Sequence, residues 1–159
     1  MKSDEKNIRF PELIDENKGL ILKICLFYTK TEADREDLFQ DIVLQAWKSF
    51  PGFRQESKFS TWLYKVALNT ALSLRRKQKR LFDEPYPEIP VPDFHQNEND
   101  PTEKMYAAIQ ELNEIEKSIV LLYLDAYSYE EMENILGIPN GNLRVKMTRI
   151  KQKLKTIIK

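Results

Sequence analysis

Between Leu81 and Thr102 the chain reads LFDEPYPEIPVPDFHQNENDPT, a stretch that holds five of its eight prolines and few aliphatic residues. Each proline lacks a backbone N–H and its ring clashes with the preceding helical turn, so a continuous helix cannot run through this segment. Its acidic, proline-rich composition favours an extended spacer over a packed core. The flanking segments must therefore each bury their own apolar surface. This divides the 159 residues into an N-terminal unit over 1–80, a linker over 81–102 and a C-terminal unit over 103–159. Each is the size of a small domain.

Both units carry helical periodicity. Phe10, Leu13, Ile14, Ile21, Ile24, Cys25 and Tyr28 follow helical spacing after Pro11, a residue suited to a first helical turn, and predict one helix there. Thr31 with Asp34 marks a second start, and Leu38, Ile42, Gln45, Ala46 and Ser49 run along one face before Phe50-Pro51-Gly52 ends it. The other side carries Asp34, Asp37 and Asp41 beside Gln40. From Ser60 or Thr61 a third helix turns Leu63, Val66, Ala67, Thr70, Ala71 and Leu74 inward, with Trp62, Lys65, Asn69 and Arg76 on a neighbouring stripe. Beyond Thr102, Met105, Ile109, Leu112, Ile119, Val120, Leu122, Tyr123 and Leu124 resume the pattern. No alternating strand pattern and no internal repeat intervene, so the fold class is all-α, two small helical domains joined by the linker.

The last third contains a helix-turn-helix signature. Ser128 and Glu131 form an S-x-x-E capping box, which satisfies backbone N–H groups left open at a helix start. Met132, Ile135 and Leu136 give that helix an apolar stripe. Gly137-Ile138-Pro139 stops it, because glycine takes positive φ without cost and proline cannot continue the incoming helix. Leu143, Met147, Ile150 and Leu154 then mark the buried face of a second helix, while Arg144, Lys146, Arg149, Lys151 and Lys153 spread over the rest. Either Pro139 opens this helix at its first position, with Ile138 as cap, or Asn140 caps it one residue later. A recognition helix needs this division, with apolar anchors behind and donors in front for phosphates and base edges.

The net charge is zero, but residues 54–80 carry eight Lys/Arg against one acid and residues 144–159 carry seven against none. Residues 81–103 hold seven acids and no Lys or Arg. Segregated basic patches collect phosphates and release their counterions whatever the molecular total, so a nucleic-acid partner is expected. The single cysteine, Cys25, excludes an internal disulfide and lies on an apolar stripe as a small core residue. The longest apolar run, Ile119 to Leu124, is too short to span a bilayer, and MKSDEKN lacks the apolar stretch of a signal peptide. The expected location is cytoplasmic, with no membrane insertion.

A catalytic reading lacks parts. His95 is the only histidine and stands in the acidic linker, away from any triad or metal set. Gly19, Gly52, Gly137 and Gly141 are too scattered for a phosphate-cradling loop, and no Glu-x-x-His pair offers a di-metal bundle site. The chain is read as a non-enzyme without cofactor or metal.

In order, both halves resemble a bacterial RNA polymerase sigma factor of the extracytoplasmic-function (ECF) group. DREDLFQDIVLQAWKSFPGFRQESKFSTWLYKVALNTALSLRRKQKR resembles sigma region 2, and LNEIEKSIVLLYLDAYSYEEMENILGIPNGNLRVKMTRIKQKL resembles region 4. The resemblance implies that the second helix binds core polymerase through Asp37, Gln40, Asp41 and Trp47. It implies that the loop Phe53 to Ser60 captures a flipped base of the −10 element in the melted non-template strand, which needs a short rigid segment. Phe53 and Phe59 bracket that loop and read as anchoring core before they read as stacking groups. Lys58, Trp62, Lys65, Asn69, Arg75, Arg76 and Lys77 would line the DNA path, with the cations on phosphate and Asn69 on a base or backbone edge. Arg80 reads as solvated tail. Asn142, Arg144, Val145, Lys146 and Arg149 would face the duplex −35 element. Arg144 and Arg149 are suited to guanine, and Lys151 and Lys153 to phosphate alone. The acidic linker would run near the path of nascent RNA. An anti-sigma factor is the further implied partner.

The sequence departs from the family at four places: Glu133 stands where a small residue is common, Pro139 for a serine, Val145 for a polar residue, and Val43 for an aromatic. Two alternatives stay open at this point. A stand-alone dimeric helix-turn-helix regulator would bind a palindrome without polymerase. A helical adaptor would use only the acidic stripe. Neither needs a basic third helix behind a short aromatic loop.

Overall fold

The computed structural model describes residues 3–81 and 100–158, so most of the expected linker, with His95, lies outside the described residues. The chain divides into two compact units, 1–91 and 92–159. All regular structure among the described residues is helical.

The first unit contains α1 (Ser3–Glu16), α2 (Lys18–Tyr28), α3 (Glu32–Ser49), a 3-10 turn (Phe50–Gly52) and α4 (Phe59–Leu81). The single helix expected from Pro11 to Tyr28 is instead two, and Pro11 sits inside α1 rather than in a first turn. Asn17 makes the break. Its side-chain Nδ2 donates to the Leu13 carbonyl at 2.8 Å, and its backbone N–H is shared between the Leu13 and Ile14 carbonyls at 3.2 and 3.1 Å. An asparagine side chain that bonds nearby carbonyls offers the backbone an alternative to helix, and here φ −110° and ψ 15° follow. Helix α1 continues across Pro11 because tertiary packing overrides propensity: Phe10 is buried against the rings of Trp47 and Phe50.

Helix α3 begins as expected, with Thr31 Oγ1 accepting from the Asp34 N–H at 3.1 Å. Helices α2, α3 and α4 pack mutually, and α1 lies on α2 and the 3-10 turn. Ile21, Ile24 and Cys25 from α2 meet Leu38, Ile42 and Ala46 from α3 and Leu63, Tyr64, Ala67, Leu68 and Ala71 from α4 in the core. Cys25 is fully buried, and burial pushes its thiol pKa from 9.0 to about 12 against the smaller opposing effects of the Arg35 charge and a backbone hydrogen bond.

The second unit contains α5 (Pro101–Gln110), α6 (Glu114–Leu124), α7 (Tyr129–Leu136) and α8 (Asn140–Ile158). Helix α8 packs on all three others. Its Leu143, Met147 and Ile150 are buried together with Met132 and Ile135 of α7, Ile119 to Leu122 of α6, and Ala108 and Ile109 of α5. Helix α6 starts with a second capping box, in which Asn113 Oδ1 accepts from the Glu116 N–H at 2.8 Å and Glu116 Oε1 accepts from the Asn113 N–H at 3.0 Å.

Candidate nucleic-acid interface

The turn between α7 and α8 is built as its residues dictate. Ser128 Oγ accepts from the Glu131 N–H at 3.1 Å, and Glu131 Oε1 accepts from the Ser128 N–H at 3.1 Å. Gly137 ends α7 at φ 73°, a left-handed conformation costly for any residue with a Cβ, and its N–H donates to the Glu133 carbonyl at 2.8 Å. The first bond of α8 runs from the Leu143 N–H to the Pro139 carbonyl at 3.0 Å, and the helix spans Asn140–Ile158. Neither sequence alternative for the start therefore holds. Pro139 itself is the boundary residue, with Asn140 first inside the helix. A proline suits that place, since its missing N–H is one that no helix start satisfies internally.

Burial of Leu143, Met147 and Ile150 sets the register of the exposed surface. Asn142, Val145, Lys146 and Arg149 are all exposed, with Val145 52% accessible between the cations Arg144 and Lys146. Arg144 lies on the flank toward α7, where its guanidinium sits 4.8 Å from the Tyr129 ring centroid. Its Nε donates to Asn140 Oδ1 at 2.8 Å. Lys151 and Lys153 turn toward α6. The Lys151 ammonium lies 4.9 Å from the Tyr123 ring centroid, and Lys153 Nζ is 3.2 Å from Glu116 Oε1. Gln152 joins the outward face, seven residues on from Val145 and so on the same side of the helix. The sequence reading stopped at Arg149 for this face, although the spacing of Gln152 from Val145 places it there.

In the first unit, Lys58, Trp62, Lys65, Asn69 and Arg76 recur at spacings that share one side of α4 and its leading residue. Lys58, Lys65, Asn69, Arg76 and Lys77 are exposed, and Trp62 is half-buried. Arg75 is placed differently from the rest of the expected DNA path. It lines a cleft of about 190 Å³ together with Asp34, Asp37 and Asp41 of α3 and Lys30 before it. Asp37 and Gln40 are exposed, Asp41 is half-buried, and Trp47 is half-buried with its ring edge-on to Phe10 at 5.2 Å.

The loop ahead of α4 is clamped by aromatic rings. Buried Phe50 contacts Phe53 at 6.2 Å, Phe59 at 6.2 Å and Trp62 at 6.1 Å between centroids. Phe53 also packs on Phe59 at 5.8 Å and on Trp62 at 5.3 Å. Phe53 and Phe59 are half-buried, each packed on Phe50 and Trp62 at one end of the loop. Between them Gln55 holds φ 59°. Backbone bonds close both ends, from the Phe53 N–H to the Phe50 carbonyl at 3.0 Å and from the Trp62 N–H to the Lys58 carbonyl at 3.1 Å. Among the described residues no group of His, Cys, Asp and Glu is arranged to hold a metal, and no helix is long and apolar enough to cross a membrane.

The described residues form two helical units, one with a basic helix behind a clamped loop and one with an outward-facing helix-turn-helix, and this defines the class of protein. Sequence comparison specifies it: residues 13–81 match the family Sigma-70 region 2, and residues 102–154 match Sigma-70, region 4. The chain belongs to the sigma-70 family, in its ECF group. SigG of Mycobacterium tuberculosis (strain CDC 1551 / Oshkosh), an ECF RNA polymerase sigma factor, is 33% identical over 78 residues, which are 49% of this chain and 21% of SigG. The chain thus spans about a fifth of that relative's length. SigW of Bacillus subtilis (strain 168), another ECF sigma factor, is 23% identical over 162 residues, covering 92% of this chain and 87% of SigW. The fold is similar to that of the sigma factor RpoE from Bartonella quintana, solved in complex with the anti-sigma factor NepR. The TM-score is 0.79 and the identity 20%, over 94% of this chain and 96% of RpoE.

Proposed function

We propose that this chain binds core RNA polymerase and directs promoter-specific initiation, with residues 1–80 engaging the polymerase and the −10 element and residues 103–159 engaging the −35 element. One observation carries the reading. A single chain of the ECF sigma group joins a capped helix-turn-helix, with Asn142, Val145 and Arg149 facing outward, to a basic α4 stripe behind an aromatic-clamped loop. Asp37, Gln40, Asp41 and Trp47 are assigned to the polymerase. Lys58, Trp62, Lys65, Asn69, Arg76 and Lys77 are assigned to the melted non-template strand, with the bracketing rings Phe53 and Phe59 shaping the loop and Arg75 reaching phosphate from the edge of its cleft. Asn142, Arg144, Val145, Lys146 and Arg149 are assigned to the duplex upstream element, Lys151 and Lys153 to its phosphates. The polymerase supplies the chemistry, and the cytoplasm is the place of action. An anti-sigma factor is proposed as a regulator, by analogy with RpoE and its partner NepR.

The test is run-off transcription with purified bacterial core polymerase, with and without the protein, on a fragment library of the source genome. New discrete start sites, together with co-elution of the protein with core, are the expected result. Absence of both, with a dimer that binds a palindromic duplex alone, would instead establish the stand-alone regulator.

A further inference from the structure

Phe10 stands ahead of the Sigma-70 region 2 match, which begins at residue 13, yet its ring reaches the cluster that holds the loop before α4. It is 4% exposed, and it meets Phe50 edge-on at 5.2 Å and Trp47 edge-on at 5.2 Å. Phe50 in turn touches Phe10, Phe53, Phe59 and Trp62. The loop therefore hangs from Phe53 and Phe59, these lean on Phe50, and Phe50 is backed by α1. Within the loop Gln55 occupies the left-handed region, φ 59°, which a residue with a Cβ holds only where its surroundings over-determine it. Loop residues 54–58 are themselves exposed, and the ring contacts that bracket them are those of Phe53 and Phe59 at the loop's two ends.

We infer that Phe10 is a positioning residue for promoter melting: through Phe50 it holds the 53–58 loop in the shape that receives an unstacked base. The inference rests on the proposed function and adds α1 to the machinery. A base flipped from a duplex must be met by a pocket already formed, because unstacking costs free energy that a disordered loop would have to match while also losing its own freedom. Removing the brace should impair opening of duplex and spare a template that is already open.

The test uses the full chain carrying Phe10→Leu, Phe10→Ala or, as a core control on α2 outside the ring cluster, Ile24→Val. Hydrogen exchange of the free protein comes first. Phe10→Leu is expected to speed exchange in 53–58 about tenfold, equivalent to a tenfold change in an opening equilibrium, while α2 and α4 keep their protection. Unchanged loop exchange overturns the brace whatever transcription shows. With core polymerase, both Phe10 variants are expected to lose about tenfold on a duplex promoter and to stay within about twofold of wild type on the same promoter with a pre-opened bubble. An unchanged duplex-to-bubble ratio, or an equal fall in Ile24→Val, overturns the positioning role. Wild-type protein that starts no transcription on either template refutes the proposed function and leaves the exchange result to decide the brace.

Discussion

The guanidinium of Arg144 lies on the face of Tyr129, 4.8 Å from the ring centroid, and its Nε is held by Asn140 Oδ1 at 2.8 Å. Helix α7 thus restrains the arginine that α8 presents. With Nε occupied, the two terminal nitrogens are left for a ligand, the pair that grips guanine O6 and N7 end-on. Restraint before binding lowers the side-chain entropy lost on contact.

Arg144→Ala is accordingly expected to cost about 1–3 kcal/mol of discrimination at one upstream base pair. Tyr129→Ala leaves the arginine but removes its support, for a loss of about 0.5–1 kcal/mol, while Tyr129→Phe keeps the ring face and most of the effect. Competition between promoters altered singly in the upstream element, read by holoenzyme run-off, measures each value. Equal discrimination by Tyr129→Ala and wild type would show that the stack is idle.

Lysines that look alike in sequence should behave differently on DNA. Lys146 and Arg149 face outward, so replacing either with alanine should lower the slope of log affinity against log salt by about one. Lys153 is engaged by Glu116, and Lys153→Ala should change that slope less and cost the fold no more than about 0.5 kcal/mol, as expected of a solvent-screened pair. Salt titrations of holoenzyme on a promoter fragment separate the two groups. A full unit of slope lost in Lys153→Ala would mean that the lysine leaves Glu116 to meet phosphate.

Gly137→Ala should destabilise the protein by about 1–2 kcal/mol, the cost of forcing a residue with a Cβ into left-handed backbone. Apart from its chain neighbours, no heavy atom among the described residues stands within 4 Å of where that Cβ would be, so the penalty is one of backbone conformation and not of collision. Urea unfolding of the full chain measures it. A change near zero would mean that α7 can end without positive φ.

Burial favours the neutral thiol of Cys25, so its pKa is higher folded than unfolded. The folded state keeps its full stability from this group below 9.0, the ordinary value, and loses it as pH rises toward about 12. Between those values the unfolded chain releases the thiol proton while the folded chain retains it, and stability falls with pH. Alkylation at pH 9 should therefore be slow in native protein and fast in urea. Equal rates would place the thiol at the surface.

The elements that were legible from sequence are those set by neighbours along the chain. Thr31 with Asp34, Ser128 with Glu131, and Gly137 act within one turn, and each forms as its spacing predicts. The break at Asn17 was hidden because Ile21 falls seven residues after Ile14 and so keeps the helical phase across the polar stretch 15–19, and an asparagine bonding back to Leu13 leaves no trace in hydrophobic periodicity. The surroundings of Lys151 and Lys153 depend on partners 28 and 37 residues away, Tyr123 and Glu116, which helical spacing cannot reveal. Trp47 is the same kind of case: the resemblance assigned it to the polymerase, and the ring of Phe10 packed against it comes from 37 residues away.

Helix α8 keeps its structural and its outward-facing residues on separate sides, with Leu143, Met147 and Ile150 inside and Asn142, Val145, Arg149 and Gln152 outside. Surface substitutions away from caps and packed groups usually change stability by only about 0.5 kcal/mol either way. Those four positions therefore form an alphabet that can be rewritten while the scaffold stays constant. On the proposed function, a combinatorial library confined to them is a route to variants of altered promoter preference that share one stable frame.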